Sequence, residues 1–145
     1  MIQRIDTFLG QYRFLSNFSP SEIRDTDGFV YRTAEHAYQA GKTEYVGKRA
    51  VIAAALTPGH AKRLGLQLDL RADWSEKRHL VMLGVLRAKF TDPWLMSQLC
   101  GTDPAELVEG NNSAGSVLGG LWVWSKLVSG SRSELVGSAS DDGAG

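Results

Sequence analysis

The chain has 145 residues, one cysteine, 16 acidic and 16 basic side chains, and a formal net charge of zero. That length supports about one domain with a usable core. The charge balance supplies no long-range basic field, which argues against obligate non-specific nucleic-acid binding, and the lone Cys100 excludes an internal disulfide and a cysteine-based metal cluster. The opening Met1-Ile2-Gln3-Arg4-Ile5-Asp6 lacks the basic-then-apolar order of a secretory signal, and no run approaches the length of a membrane helix, so a cytoplasmic setting is expected.

The first thirty residues read as short strands and turns: Ile2–Leu9 as a strand broken by Gly10, a second strand starting over Tyr12–Phe14, and a loop at Ser16-Asn17-Phe18-Ser19-Pro20. Asp25-Thr26-Asp27-Gly28 is a turn signal before the strand-like Phe29-Val30-Tyr31. Helices follow. Thr33 is placed to cap the first. Tyr45–Leu56, rich in alanine and apolar residues, reads as a buried helix. Thr57-Pro58 opens a short helix that Gly65 stops. Ser75 reads as the cap of the clearest helix, with His79, Met82, Leu83, Leu86 and Phe90 facing the core. Asp92-Pro93 opens one more, ended by Gly101, and Leu107-Val108 reads as a last strand. The expected fold is α+β, mostly helical, with a small antiparallel sheet near the N-terminus. It divides into a domain over 1–112 and a Ser/Gly-rich, poorly ordered tail over 113–145.

The segment after Thr33 carries the chemistry. Helical spacing puts Glu35, Tyr38, Gln39 and Lys42 on one side. A carboxylate, a phenol, an amide and an ammonium suit a polar pocket for a hydroxylated or phosphorylated ligand; the alternative is an amphipathic helix with a surface Glu/Lys pair. His36, His60 and His79 lack zinc-motif spacing, Asp25–Gly28 lacks the closing Glu of a calcium loop, and the glycines form no dinucleotide fingerprint, so no metal or cofactor is expected. Carboxylates remain as acid/base groups. Glu35 can stabilise the positive charge that develops on a sugar ring as a glycosidic bond breaks. Glu109 is a second candidate, or a surface glutamate at a strand end. Trp74 either stacks on a base or plugs the entrance of its helix into the core. Lys42 and Arg4 either anchor phosphate or are solvated charges.

Six segments in order resemble one family, the NADAR domain, or YbiA-like N-glycosidases. They are Phe14–Pro20, Tyr31–Ala40, Thr57–Gly65, Arg71–Trp74, Val81-Met82 with Leu86–Phe90, and Leu107–Glu109. The resemblance covers about residues 8 to 112. It implies a mostly helical α+β fold and hydrolysis of an N-glycosidic bond, with water as second substrate and no cofactor. The implied substrates are phosphoribosylamino-pyrimidine intermediates of riboflavin biosynthesis; in another branch they are ADP-ribosyl groups on guanine in nucleic acid, and a non-catalytic binder of ADP-ribose or NAD is a third implication. Glu35 looks like the catalytic carboxylate, and Asn17, Tyr38, Lys42 and Trp74 look like pocket residues, with Arg4 and Glu109 as further substrate contacts. The family's Trp-Gly-Asp, second Trp-Gly and Asn-x-Leu-Gly elements are absent after Asn112. A one-base frame change in the coding sequence is compatible with that departure.

Overall fold

The computed structural model describes residues 3–108 and 124–129. Strand β1 (Arg4–Ile5) leads into a 3-10 turn over Gly10–Leu15, where a second strand is expected from the sequence. Gly10 adopts a positive φ of 58°, which a glycine takes at little cost and which turns the chain into the helical winding. Strands β2 (Pro20–Arg24) and β3 (Val30–Thr33) form the small antiparallel sheet that is expected, although no strand is expected over Pro20–Arg24 from the sequence; Ile23 lies opposite Tyr31, with a register irregularity between Pro20 and Ile23. Its turn is built by Asp25. One carboxylate oxygen accepts the Asp27 and Phe29 N–H groups at 3.0 and 2.9 Å, and the other accepts the Tyr31 hydroxyl at 2.8 Å.

Helices α1 (Ala34–Ala40), α2 (Val46–Ala53), α3 (Pro58–Leu66), α4 (Trp74–Lys89) and α5 (Pro93–Cys100) follow, then β4 (Glu106–Leu107). Strand β4 pairs with β1 in parallel, Ile5 opposite Leu107. Thr33 and Thr57 cap α1 and α3 through the His36 and His60 N–H groups, and Asp92 caps α5. Two expectations fail locally. Helix α4 starts at Trp74 after Asp73, so Ser75 lies inside it rather than capping it. Helix α2 buries only Ile52 and leaves Val46 and Val51 exposed, because it lies at the edge of the molecule and not within it. No helix among the described residues is long and apolar enough to cross a membrane.

All seven residues of α1 are buried. The helix runs between two apolar clusters. Ala34, Ala37 and Ala40 join Ile23, Tyr31, Ile52 and Ala61 on one side, while Tyr38 joins Trp74, Met82, Leu86 and Phe90 on the other. The short alanine side chains let α3 approach closely. Most of the expected tail lies outside the described residues. Residues 124–129 are helical, and there Trp124 and Leu127 are buried, with the Trp124 ring 5.6 Å from Phe8 and 6.1 Å from Phe90.

Candidate active site

The burial of α1 moves its polar face inside the protein. Glu35 is 8 % exposed and accepts a hydrogen bond from Gln39 Nε2 at 2.8 Å, a pairing one helical turn apart. Its own N–H, one of the donors that a helix start leaves without an internal partner, donates to Asn17 C=O at 3.0 Å. The carboxylate is thereby held by α1 behind and by the Ser16–Pro20 loop beside it.

Two buried polar atoms next to this carboxylate have no partner, the Tyr38 hydroxyl and Gln39 Oε1. Buried polar groups are nearly always satisfied, so the unpaired Tyr38 hydroxyl beside a buried acid leaves a hydrogen-bonding position open to water or a ligand, whereas Gln39 Oε1 abuts Gly65 of α3. Burial raises the Tyr38 phenol well above its ordinary value, and the charge of Glu35 adds to that, against a smaller opposing effect of Arg78. Tyr38 is thus a neutral hydroxyl donor across the physiological range. Its ring meets Trp74 at 5.3 Å and 55°, and the Lys42 ammonium sits 5.8 Å from its centroid.

Lys42 is partly buried. Desolvation lowers its pKa, Lys62 adds to the lowering, and Glu35 works in the opposite direction. An amine in this state can hold a phosphate as the ammonium or act as a base or nucleophile once the proton leaves. Arg71 ties Lys42 to Trp74. Its N–H donates to Lys42 C=O at 2.9 Å and its C=O accepts from Trp74 N–H at 3.0 Å. Its guanidinium holds Asp73 at 2.6 Å and Glu44 at 3.3 Å. Five of the expected site residues therefore converge: Glu35, Asn17, Tyr38, Lys42 and Trp74.

A family model for the NADAR domain matches residues 7–115. The chain belongs to the NADAR domain family. It is 37 % identical over 101 residues to the N-glycosidase YbiA of Escherichia coli (strain K12), a match that spans 68 % of this chain and 62 % of that protein. The N-glycosidase YbiA of Shigella boydii serotype 4 (strain Sb227) matches to the same extent. The NMR structure of the E. coli protein YbiA superposes with a TM-score of 0.73 at 29 % identity, covering 96 % of this chain and 89 % of that one. The YbiA-like architecture, predominantly helical with a small antiparallel sheet, is the one expected from the sequence.

Within this NADAR domain the remaining site expectations fare differently. Arg4 is the exposed residue of β1 and pairs across the strand pair with Glu106 at 3.5 Å. Glu109 lies outside the described residues. Trp74 is 8 % exposed and part of the core, so it walls the site through Tyr38 before it offers any face to a base. His36 is fully buried and structural, its Nε2–H donating to Ala55 C=O at 2.9 Å and its Nδ1 2.7 Å from the Thr33 hydroxyl. No group of three or more His, Cys, Asp or Glu side chains is placed to hold a metal among the described residues. Two cations emerge that sequence reasoning missed, Lys62 on α3 and Arg78 on α4, which act on Lys42 and Tyr38 respectively. The Arg78 Nε is buried without a partner. Arg78 follows Trp74 by one helical turn, a spacing that could have flagged it. A separate cavity of about 770 Å³ lies between β2 and the α4–α5 junction. It is lined by Glu22, Arg24, Asp92 and Trp94 among others, and by none of the Glu35 cluster.

Proposed function

We propose that the chain is an N-glycosidase acting on phosphoribosylamino-pyrimidine intermediates of riboflavin biosynthesis, releasing ribose 5-phosphate and the pyrimidine base. The observation that carries this reading is the buried Glu35 carboxylate with two orphaned polar atoms, Tyr38 OH and Gln39 Oε1, beside it. The match to proteins named N-glycosidase supports it. Water adds to the anomeric carbon, the C–N bond electrons leave with nitrogen, and the departing amine takes up a proton. Glu35 stabilises the oxocarbenium-like charge and serves the proton transfers. Tyr38 holds a sugar hydroxyl, Gln39 orients the Glu35 carboxylate, Lys42 takes the phosphate, and Trp74 backs the base. No cofactor enters, because water is the second substrate.

A second reading, removal of ADP-ribose from guanine in nucleic acid, draws on the two extra cations. Lys62 lies close enough to act on Lys42, and Arg78 close enough to act on Tyr38, so cations beyond Lys42 are at hand for a second phosphate. Turnover of a phosphoribosylamino-pyrimidine and of ADP-ribosylated guanine oligonucleotide, compared on the same preparation, separates the two. Release of ribose 5-phosphate supports the first; release of ADP-ribose alone supports the second. Binding of ADP-ribose with neither product would make the chain a non-catalytic module.

A further inference from the structure

Helix α4 ends in a buried ammonium that the proposed chemistry does not use. Lys89 is 1 % exposed, and among the described residues no carboxylate pairs with it. Burying a charge without a counter-ion is costly, and an apolar side chain of similar length would fill the space more cheaply. The charge is directed at one segment. Nζ donates to Ser16 C=O at 2.9 Å and to Ser19 Oγ at 3.1 Å. Both acceptors bracket Asn17, whose C=O accepts the Glu35 N–H at 3.0 Å. Ser19 Oγ also donates to Ser16 C=O at 2.8 Å, and Phe18 N–H donates to Ser16 Oγ at 3.1 Å, so the loop is tied together internally.

We propose that Lys89 is the positioning residue of this site: it clamps the Ser16–Pro20 loop, so that Asn17 fixes the first turn of α1 and with it the Glu35 carboxylate. Its catalytic consequence rests on the N-glycosidase reading; the clamp itself does not. The Asn17 side chain completes the connection, with Nδ2 lying 3.9 Å from Met82 Sδ on the same α4 that carries Lys89. One helix thereby holds the loop from below by charge and from the side by packing.

The test uses amide hydrogen exchange and steady-state kinetics on the full chain. Lys89→Met should speed exchange at the Glu35 N–H by about tenfold or more, leaving α5 amides unchanged. It should lower kcat on the phosphoribosylamino-pyrimidine by on the order of tenfold to a hundredfold, with KM held within about threefold. In a Glu35→Gln background the same substitution should cost no further turnover, because its effect passes through that carboxylate. Ser19→Ala, which removes one acceptor and leaves the lysine in place, should give the same pattern in smaller size and decides the matter if Lys89→Met does not fold. Unchanged Glu35 exchange in a folded variant overturns the clamp. An undiminished fall in kcat in the Glu35→Gln background overturns its action through Glu35. Should the wild-type chain turn over no N-glycoside, the function reading fails while the exchange result still decides the clamp.

Discussion

An alanine at position 65 should disable the site without replacing any residue assigned to it. Gly65 lies near the end of α3 with ordinary helical backbone, where alanine would normally gain about 0.5–1 kcal/mol. Here a Cβ would overlap Gln39 Oε1 and stand 2.6 Å from Gln39 Cδ and 3.2 Å from its Cβ. The amide must swing away, yet its Nε2 is the group that donates to Glu35 at 2.8 Å. Overpacking of this kind costs about 1–3 kcal/mol, and loss of a hydrogen bond to a charged group about 1.5–3 kcal/mol. The two overlap, since relieving the clash breaks the bond. After subtraction of the helix gain, Gly65→Ala should destabilise the chain by about 1–2 kcal/mol and lower kcat by on the order of tenfold to a hundredfold. Gly84→Ala is the control, because an added Cβ there meets nothing within 4 Å; it should be neutral or stabilising by up to about 1 kcal/mol. Urea midpoints and turnover of the phosphoribosylamino-pyrimidine, measured on both variants, decide. Wild-type stability together with wild-type kcat in Gly65→Ala would refute the reasoning.

Lys42→Ala should weaken phosphorylated ligands by about 1.5–3 kcal/mol and their dephosphorylated forms much less; titration calorimetry with both forms checks this, and equal losses would remove the phosphate role. Trp124→Ala should cost about 3–5 kcal/mol, since the ring is 2 % exposed between Phe8 and Phe90; a melting curve like that of the wild type would contradict its place in the core. Burial pushes Lys89 down from its ordinary 10.5 to about 8. Between those values the unfolded chain keeps a proton that the folded chain has released, so this group's contribution to stability rises with pH across the window, and its burial penalty is fully present below it. Urea midpoints of wild type and Lys89→Met from pH 7 to 10 should therefore diverge in favour of the wild type as pH rises, and parallel curves would count against the shift.

The local signals that came through in the sequence are those with a short-range cause. Thr33, Thr57 and Asp92 cap their helices because each side-chain oxygen needs only an N–H two or three residues on. The Asp25–Gly28 turn is legible for the same reason. What escaped depends on long-range packing. Gly10–Leu15 winds into a 3-10 turn although Tyr12 and Phe14 favour strands, because both side chains pack against the core cluster that contains Leu15. Helix α2 looks apolar in composition, but it buries only Ile52, with Ala53 partly buried against the same cluster.

In the site, the mixed polar face of α1 was visible as chemistry, while its complete burial was not, because burial comes from two clusters assembled by distant segments. Lys89 falls at helical spacing after Met82 and Leu86, on the apolar stripe of α4. A lysine is rarely fully buried without a partner, and the Ser16–Pro20 loop that receives this one is more than sixty residues away in sequence. The placement of Trp124 was hidden because residues 113–145 show no periodicity, whereas the contacts that bury it come from Phe8 and Phe90.

The most direct test of the account is Glu35→Gln. The substitution keeps the size of the side chain and removes its charge and acidity, with Gln39 still within reach as a donor. Release of ribose 5-phosphate from a phosphoribosylamino-pyrimidine should fall by about a hundredfold or more, while the folded fraction at the assay temperature stays that of the wild type. A folded Glu35→Gln chain with near-wild-type turnover would contradict the assignment of this carboxylate to the reaction.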